Sequence, residues 1–369
     1  MAELPNVPAG STGFAGAAGA SQYSRDSTHY SHAARKKSGR KTKIAIVVLS
    51  TFLVLAVGVV AAWGLVYLPY MESVNKALHS TTNKTEEEIE AIEKKLAPVR
   101  NYKDPFYMML IGSDAREDEE EMGHRSDTNI LVRIDPMNCV VTMISIPRDT
   151  KIYLDGYGTV KFNAAYNYGG AASTIEEAGQ LCGVPIAHYA EINFDQLIRL
   201  IDTVGGVEVD VPEYINDPDA GNIIIKPGLQ TLDGEAALVF ARSRAYADGD
   251  FTRTSNQRLL IEALVKKILA QPLQNLPGVV LQAAACVTVD QGLTAEGILD
   301  LAVQFKDIGK LTIYSVLLPA ELAPAPEGEP SYVIADMDVI EEMMQLVEAG
   351  QDPNLALVGT PYAPVKPEI

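Results

Sequence analysis

The chain is poor in the residues that usually build metal, redox and nucleotide sites. It has 3 cysteines and 5 histidines in 369 residues. Cys139, Cys182 and Cys286 cannot supply a disulfide framework, and their apolar neighbours predict buried thiols, although one bridge is conceivable. The histidines are scattered, with only His124 near a motif, which argues against a zinc site or a Ser-His-Asp hydrolase. No Gly-x-x-x-x-Gly-Lys loop is present, so a P-loop nucleotide site is excluded. Positive charge is also scarce: 30 basic residues face 48 acidic ones, a net charge of −18. Nucleic acid needs a basic footprint, and this chain does not offer one as a whole.

What it does have begins with a long apolar run. Ile44 to Leu68 is 25 residues without a charge. At ~1.5 Å per residue a helix of that length spans ~37 Å, enough for a hydrocarbon core of ~30 Å. Trp63 and Tyr67 fit an interfacial belt, and Arg35, Lys36, Lys37, Arg40, Lys41 and Lys43 precede the run. The positive-inside rule predicts a cytoplasmic N-terminus and an extracellular remainder at the cell membrane. A cleaved signal peptide fits less well, because the run and the segment before it are both too long. A buried helix fits worse, because no face of the run is polar. Residues 1–43 hold 7 basic and 2 acidic residues, net +5; the remaining 23 basic and 46 acidic residues give net −23. The expected order is a disordered basic cytoplasmic tail (1–43), a transmembrane helix (44–68), a stalk or linker (69–105), one large extracellular domain (106–350) and a flexible C-terminal tail (351–369). Within the stalk, Ile89, Ile92 and Leu96 make one helical stripe, with a Glu90 and Lys94 pair beside it.

From Phe106 the pattern is α/β. Phe106 to Ile111, Asn129 to Ile134, Val140 to Ile146, Tyr189 to Asn193, Val207 to Val211 and Leu311 to Leu318 read as strands. Ala171 to Leu181, Asp195 to Thr203, a stretch opened by Leu232-Asp233-Gly234 and running through Ala236 to about Ser243, Thr254 to Ala270, Ala295 to Lys306 and Val339 to Glu348 read as helices.

Charged residues recur where these elements end. Asp114 follows the first strand and Asp127 precedes the second. If those strands form a hairpin, the two carboxylates share one sheet end, where repulsion favours an intervening cation and oxygen ligands select Mg²⁺ or Ca²⁺. Arg148 follows the third strand; Arg242, Arg244 and Arg253 come later, and Lys161 is a further candidate cation. Fork-shaped guanidinium donors beside hard-cation ligands suit a phosphate or pyrophosphate. Asp250, Arg253 and Gln257 share one side of a helix that starts near Asp250. Arg242 and Arg244 converge only if the chain turns extended between them. Taken singly, each Asp reads as a turn cap and each Arg as a surface ion pair. The run Glu117 to Glu121 reads as a solvated loop.

Together these segments resemble one family. Gly112-Ser113-Asp114, Arg125-Ser126-Asp127-Thr128, Ser145-Ile146-Pro147-Arg148-Asp149, Lys161-Phe162-Asn163-Ala164-Ala165-Tyr166, Gly205-Gly206-Val207, Leu232-Asp233-Gly234-Glu235-Ala236 through Arg242-Ser243-Arg244, and Asp250-Phe251-Thr252-Arg253 occur in one order. In that order they resemble the LytR-CpsA-Psr cell-wall ligases, from about Tyr107 to Leu269. The resemblance implies a three-layer α-β-α sandwich with a central mixed sheet. It also implies an enzyme that moves a glycopolymer from a polyprenyl-pyrophosphate carrier onto a peptidoglycan sugar hydroxyl, with Mg²⁺ as cofactor. By motif matching, Asp114 and Asp127 would hold the metal. Arg125, Arg148, Arg242, Arg244, Arg253 and Gln257 would bind the pyrophosphate. Arg242, Arg244 and Asp250 would be catalytic, with Asp250 the candidate base. The chain departs from the family pattern at Asn256, where Arg is common, and at Thr252, where Gly is common; Arg258 is the cation available to compensate. A non-catalytic lipid-pyrophosphate module and an external pyrophosphatase would use the same residues. A membrane-bound transcription regulator conflicts with the topology and the acidic charge.

Overall fold

A computed structural model describes residues 48, 50–55, 63–80, 84–99, 101–114, 125–247, 249–272, 274–306, 310–324 and 331–363. The chain divides into two compact units, Met1–Ala61 and Ala62–Ile369. In the first, residues 48 and 50–55 are helical. The basic tail, residues 44–47, 49 and 56–62 of the Ile44 to Leu68 run, and the Glu117 to Glu121 loop lie outside the described residues. Among the described residues no helix is long and apolar enough to cross a membrane.

The second unit is built on a mixed sheet. In chain order its elements are α1 (Leu68–Ser80), α2 (Glu86–Glu93), β1 (Phe106–Ser113), β2 (Ser126–Asp135), β3 (Val140–Ser145), β4 (Lys151–Leu154), β5 (Gly158–Lys161), α3 (Phe162–Cys182), β6 (Ile186–Ile192), α4 (Phe194–Thr203), β7 (Val207–Val211), β8 (Gly228–Leu232), α5 (Gly234–Arg242), α6 (Asp250–Leu269), α7 (Leu276–Ala284), β9 (Thr288–Val289), α8 (Ala295–Gln304), β10 (Thr312–Leu317), β11 (Ala320–Leu322), β12 (Val333–Ala335) and α9 (Met337–Glu348). The main sheet has the order β10-β3-β2-β1-β6-β9. β1, β2 and β3 pair antiparallel, whereas β6 joins β1 and β10 joins β3 in parallel.

Alternation along the strands sorts the side chains into two faces. Met109, Leu131 and Ile144 stand opposite one another in register and pack with Ile175 and Ala178 of α3 and Met343 of α9. Leu110, Ile130, Val132 and Met143 face the other way, toward Ile261 of α6. The sheet is therefore covered by helices on both faces. A second core beside it joins Ile201 of α4, Val207 and Val209 of β7, Phe240 of α5 and Leu260 of α6. Two glycines of the motifs serve this packing. Gly206 has φ +78° at the turn into β7. At Gly234 a Cβ would lie 2.5 Å from the carbonyl oxygen of Ile198, so α5 reaches α4 only because that side chain is missing.

The structure corrects two expected boundaries. Residues 69–105 are not a free stalk: Met71, Val74 and Leu78 of α1 are buried, in clusters with Val280, Ala295, Val289 and Leu293, and Ile92 of α2 joins the main core. The apolar stripe of α1 follows directly on the long hydrophobic run, which hid it. Nor is 351–369 wholly a tail. Pro353–Leu357 forms a short 3₁₀ helix whose Ala356 and Leu357 are buried in the main core, while 364–369 lie outside the described residues. Elsewhere β2 begins three residues before Asn129, α6 begins at Asp250, and α3 starts at Phe162 with a break in helical geometry at Gly169 and Gly170. The three cysteines are free thiols, with Cys182 and Cys286 buried.

Candidate functional site

The motif residues converge at one end of the sheet. β1 and β2 meet there: Ser113 pairs with Ser126, the Asp114 N–H donates to the Arg125 carbonyl, and the Arg125 N–H donates to Asp114 Oδ1 at 2.7 Å. Asp127 is the second residue of β2. The segment after β3 is tied to the same end by the Ile146 N–H on the Asn129 carbonyl, and the Asn163 N–H holds the Arg148 carbonyl. From the α4, α5 and α6 side come the start of α6, carrying Asp250 and Arg253, and the end of α5. There Ser243 turns extended (φ −55°, ψ 138°) and aims Arg244 away from Arg242.

Three guanidinium groups share two carboxylates. Arg148 Nη1 donates to Asp127 Oδ1 at 2.8 Å, and Arg244 Nη2 to Asp127 Oδ2 at 3.4 Å. Asp250 Oδ1 lies 2.8 Å from Arg253 Nη2, 3.5 Å from Arg244 Nε and 3.6 Å from Arg148 Nε. Arg253, only 2% exposed, also donates to the Asp127 carbonyl at 3.2 Å. Lys161 Nζ pairs with Asp149 at 2.9 Å, and Asp149 lies 3.9 Å from Arg148. Burial opposes the charge on Asp127, but Arg148, Arg253 and Arg244 outweigh it and hold its carboxyl below the usual range. Burial pushes the Arg253 guanidinium down to about 10, against the pull of Asp250, so it stays charged at neutral pH. For Arg148 burial loses to Asp127, Asp250 and Asp149, and the shift is upward.

Asp127, Arg148, Arg244, Asp250 and Arg253 are thus brought together. Arg242 points elsewhere: its guanidinium lies 4.6 Å from the Phe194 ring centre and donates to the Ala220 and Asp219 carbonyls. Gln257 is buried and donates to the Ala241 carbonyl at 3.1 Å, one turn before Arg244. Arg125 is exposed beside Asp114. Asn256 donates to the Tyr246 hydroxyl, so no cation stands there. One functional residue was missed. Asp217 Oδ2 accepts from Ser243 Oγ at 2.9 Å and from the Arg244 N–H at 2.8 Å, fixing the segment that presents Arg244. Asp217-Pro218 reads as a turn in sequence, and nothing there announces a partner 27 residues away.

The donor set suits a hard divalent cation in its chemistry. Asp114 and Asp127 are oxygen donors at the same sheet end. Asp114 commits Oδ1 to the Arg125 N–H, and Asp127 holds Arg244 only at the longer distance. Two carboxylates suffice for Mg²⁺ when phosphate oxygens and water complete its octahedron. Among the described residues no group of three or more His, Cys, Asp or Glu could hold a metal without such help.

An α/β protein in which three arginines share two aspartates at the end of a mixed sheet has the donors that phosphorylated ligands require. The LytR_cpsA_psr family model matches residues 67–348, and the chain belongs to that family. TagT of Bacillus subtilis, named a polyisoprenyl-teichoic acid–peptidoglycan teichoic acid transferase, is 33% identical over 243 residues, covering 63% of this chain and 73% of TagT. LcpB of Corynebacterium glutamicum, a probable cell wall biosynthesis protein by name, is 37% identical over 201 residues, covering 50% of this chain and 48% of its own. The crystal structure of B. subtilis TagV matches with a TM-score of 0.58 at 28% identity, over 66% of this chain and 96% of that one.

Proposed function

We propose that the chain is a membrane-anchored transferase that moves a glycopolymer from polyprenyl pyrophosphate to a peptidoglycan sugar hydroxyl. The observation that carries this reading is the sharing of Asp127 and Asp250 among Arg148, Arg244 and Arg253. Cations held in that way can turn to a pyrophosphate without being built anew. The names of the relatives supply the substrate class.

In the reaction, the acceptor oxygen bonds to the phosphorus that carries the glycopolymer. The bond from that phosphorus to the bridging oxygen breaks, and polyprenyl phosphate leaves. Arg244, 44% exposed in its side chain, reaches the ligand from the mouth, while buried Arg253 and half-buried Arg148 hold it from behind. Their charge offsets what builds on the leaving phosphate, so most of the acceleration is positioning and electrostatics. Asp250, at the start of α6 with its side chain 29% exposed, accepts the hydroxyl proton in this reading. Asp127, held low by its arginines, is a poor base. Asp114 and Asp127 would hold Mg²⁺, which would supply further charge neutralisation to the pyrophosphate. Arg125, exposed beside Asp114, joins the anion-binding set from the edge, whereas Arg242, bound to the Asp219 and Ala220 carbonyls, serves it only by bracing the turn behind Arg244.

The test uses full-length protein in detergent with a polyprenyl-pyrophosphate sugar, Mg²⁺ and peptidoglycan fragments. A sugar–peptidoglycan conjugate is expected. Free sugar phosphate without conjugate would make the protein a pyrophosphatase; an unchanged donor would leave only binding. The Ile44 to Leu68 run supplies the anchor in this reading, with an extracellular domain. A tag after Ile369 should be open to protease in intact cells, and a protected tag would reverse the topology.

A further inference from the structure

Next to Gln257, α6 carries a cation that the arginine–aspartate cluster does not include. Arg258 is 8% exposed. Its Nε donates to Ser315 Oγ and its Nη1 to Ser145 Oγ, each at 2.6 Å. Both partners are neutral hydroxyls, and among the described residues no carboxylate forms an ion pair with it. A guanidinium taken out of water without an anion is costly to fold around. Burial pushes it down to about 10, which leaves it charged at neutral pH.

Its position relates that cost to the site. Ser145 is the last residue of β3, three before Arg148, so Arg258 grips the strand end from which Arg148 springs. In register Ser145 faces Ile130, three residues along β2 from Asp127. At ~3.3 Å per residue that places the charge on the order of 10 Å behind the cluster. Asn129 and Ile130 between them are buried, and inside a protein charges that far apart still alter binding roughly tenfold per ligand charge.

We propose that Arg258 is a positioning residue whose buried, unmatched charge is compensated when the anionic ligand binds above it. This rests on the pyrophosphate reading of the site and adds to it a cation that never touches the ligand. Arg258 also supplies charge that Asn256, bonded to Tyr246, does not.

Geranyl pyrophosphate and geranyl phosphate serve as probes. Their binding to the full-length protein in detergent is measured by calorimetry, beside thermal melts, for wild type, Arg258→Met, Arg258→Gln and Arg258→Lys. Arg258→Met should melt at or above wild type yet bind geranyl pyrophosphate at least tenfold more weakly, with a smaller loss for the monophosphate. Arg258→Lys should keep most of the affinity. Binding by Arg258→Met within twofold of wild type, or equal losses for the two ligands, would overturn the proposal. If the Met variant fails to fold, the Gln and Lys variants decide: weak binding by Gln alone supports it, and equal affinities overturn it. A wild type that binds neither probe removes the pyrophosphate reading itself, a different result from wild-type binding that Arg258→Met leaves intact.

Discussion

Two buried arginines stand at opposite ends of the central sheet and are treated in opposite ways. Arg133, 4% exposed, lies near the end of β2, opposite Tyr107. It has one carboxylate to itself: Nη1 donates to Asp135 at 3.0 Å, while Nη2 donates to the Glu348 carbonyl at 3.1 Å. Asp135 completes its set with the Asn138 N–H and side-chain amide. Arg253, at the start of α6, shares Asp250 with Arg148 and Arg244. The first arrangement is closed, with each charge matched, as structural ion pairs require. The second is open: each carboxylate is divided among cations, and an arriving anion can redistribute those contacts without stranding a charge. The difference separates a pair that holds β2 to α9 from a cluster built to change partners.

The largest effect should come from breaking the closed pair. Arg133→Ala leaves Asp135 buried without its cation, which should cost about 3–5 kcal/mol. A denaturant titration measures this, and transfer per folded molecule should be unchanged. Loss of transfer in folded Arg133→Ala protein would erase the distinction. Next comes the open cluster. Arg244→Ala should lower turnover by about 10²–10³-fold, as removal of one charge-stabilising donor does, with a nearly unchanged melting temperature because its side chain is 44% exposed. Near-normal transfer by this variant would remove the arginine cluster from the mechanism.

The contrast between the ends also explains what could be read from sequence. The strands that place the cluster were legible as short apolar runs bounded by turn residues, such as Phe106 to Ile111, whose side chains feed both covered faces of the sheet, and the helices by their apolar period. Asp127, Arg148, Arg244, Asp250 and Arg253 stood out because charge at the end of an apolar element is conspicuous. Partnerships were not legible. Arg242 and Arg244 look equivalent in sequence, yet the extended turn at Ser243 sends them apart. Gln257 looks like a ligand contact and binds the Ala241 carbonyl; Asp217 looks like a turn residue and holds Arg244. α1 was lost because its stripe of Met71, Val74 and Leu78 continues a run already read as an anchor. Short elements such as β4, β5 and β9 carry too few residues for a period to show.

A smaller effect separates Asp127 from the rest through its pH dependence. Its carboxyl is held below the usual value of about 3.9. A depressed carboxylate contributes stability that is fully present above the unfolded value and is lost as pH falls through the folded one. Asp127→Asn should therefore cost roughly 1–3 kcal/mol near neutrality, as loss of a charged hydrogen-bond acceptor does. That difference from wild type should hold steady down to about pH 4 and shrink only below it. A gap that instead closes between pH 5 and pH 7 would mean the arginines do not hold Asp127 ionised.

The smallest effect should be that of Arg242, and it tests whether the two neighbouring arginines do the same work. Arg242 donates to the carbonyls of Asp219 and Ala220, in the turn where the Asp219 N–H donates to Asp217 Oδ1. Asp217 in turn holds Ser243 and the Arg244 N–H. A side chain that braces this turn affects the ligand through the aim of Arg244. Arg242→Ala alone should then reduce kcat/KM by about tenfold, the scale of one positioning contact of ~1.4 kcal/mol. The double variant Arg242→Ala, Arg244→Ala should be no worse than Arg244→Ala, because an aim has no value once the aimed group is gone. Losses that multiply would instead put Arg242 on the ligand in its own right. The open cluster would then extend from β2 across α6 to the end of α5, with four guanidiniums serving one anion rather than three.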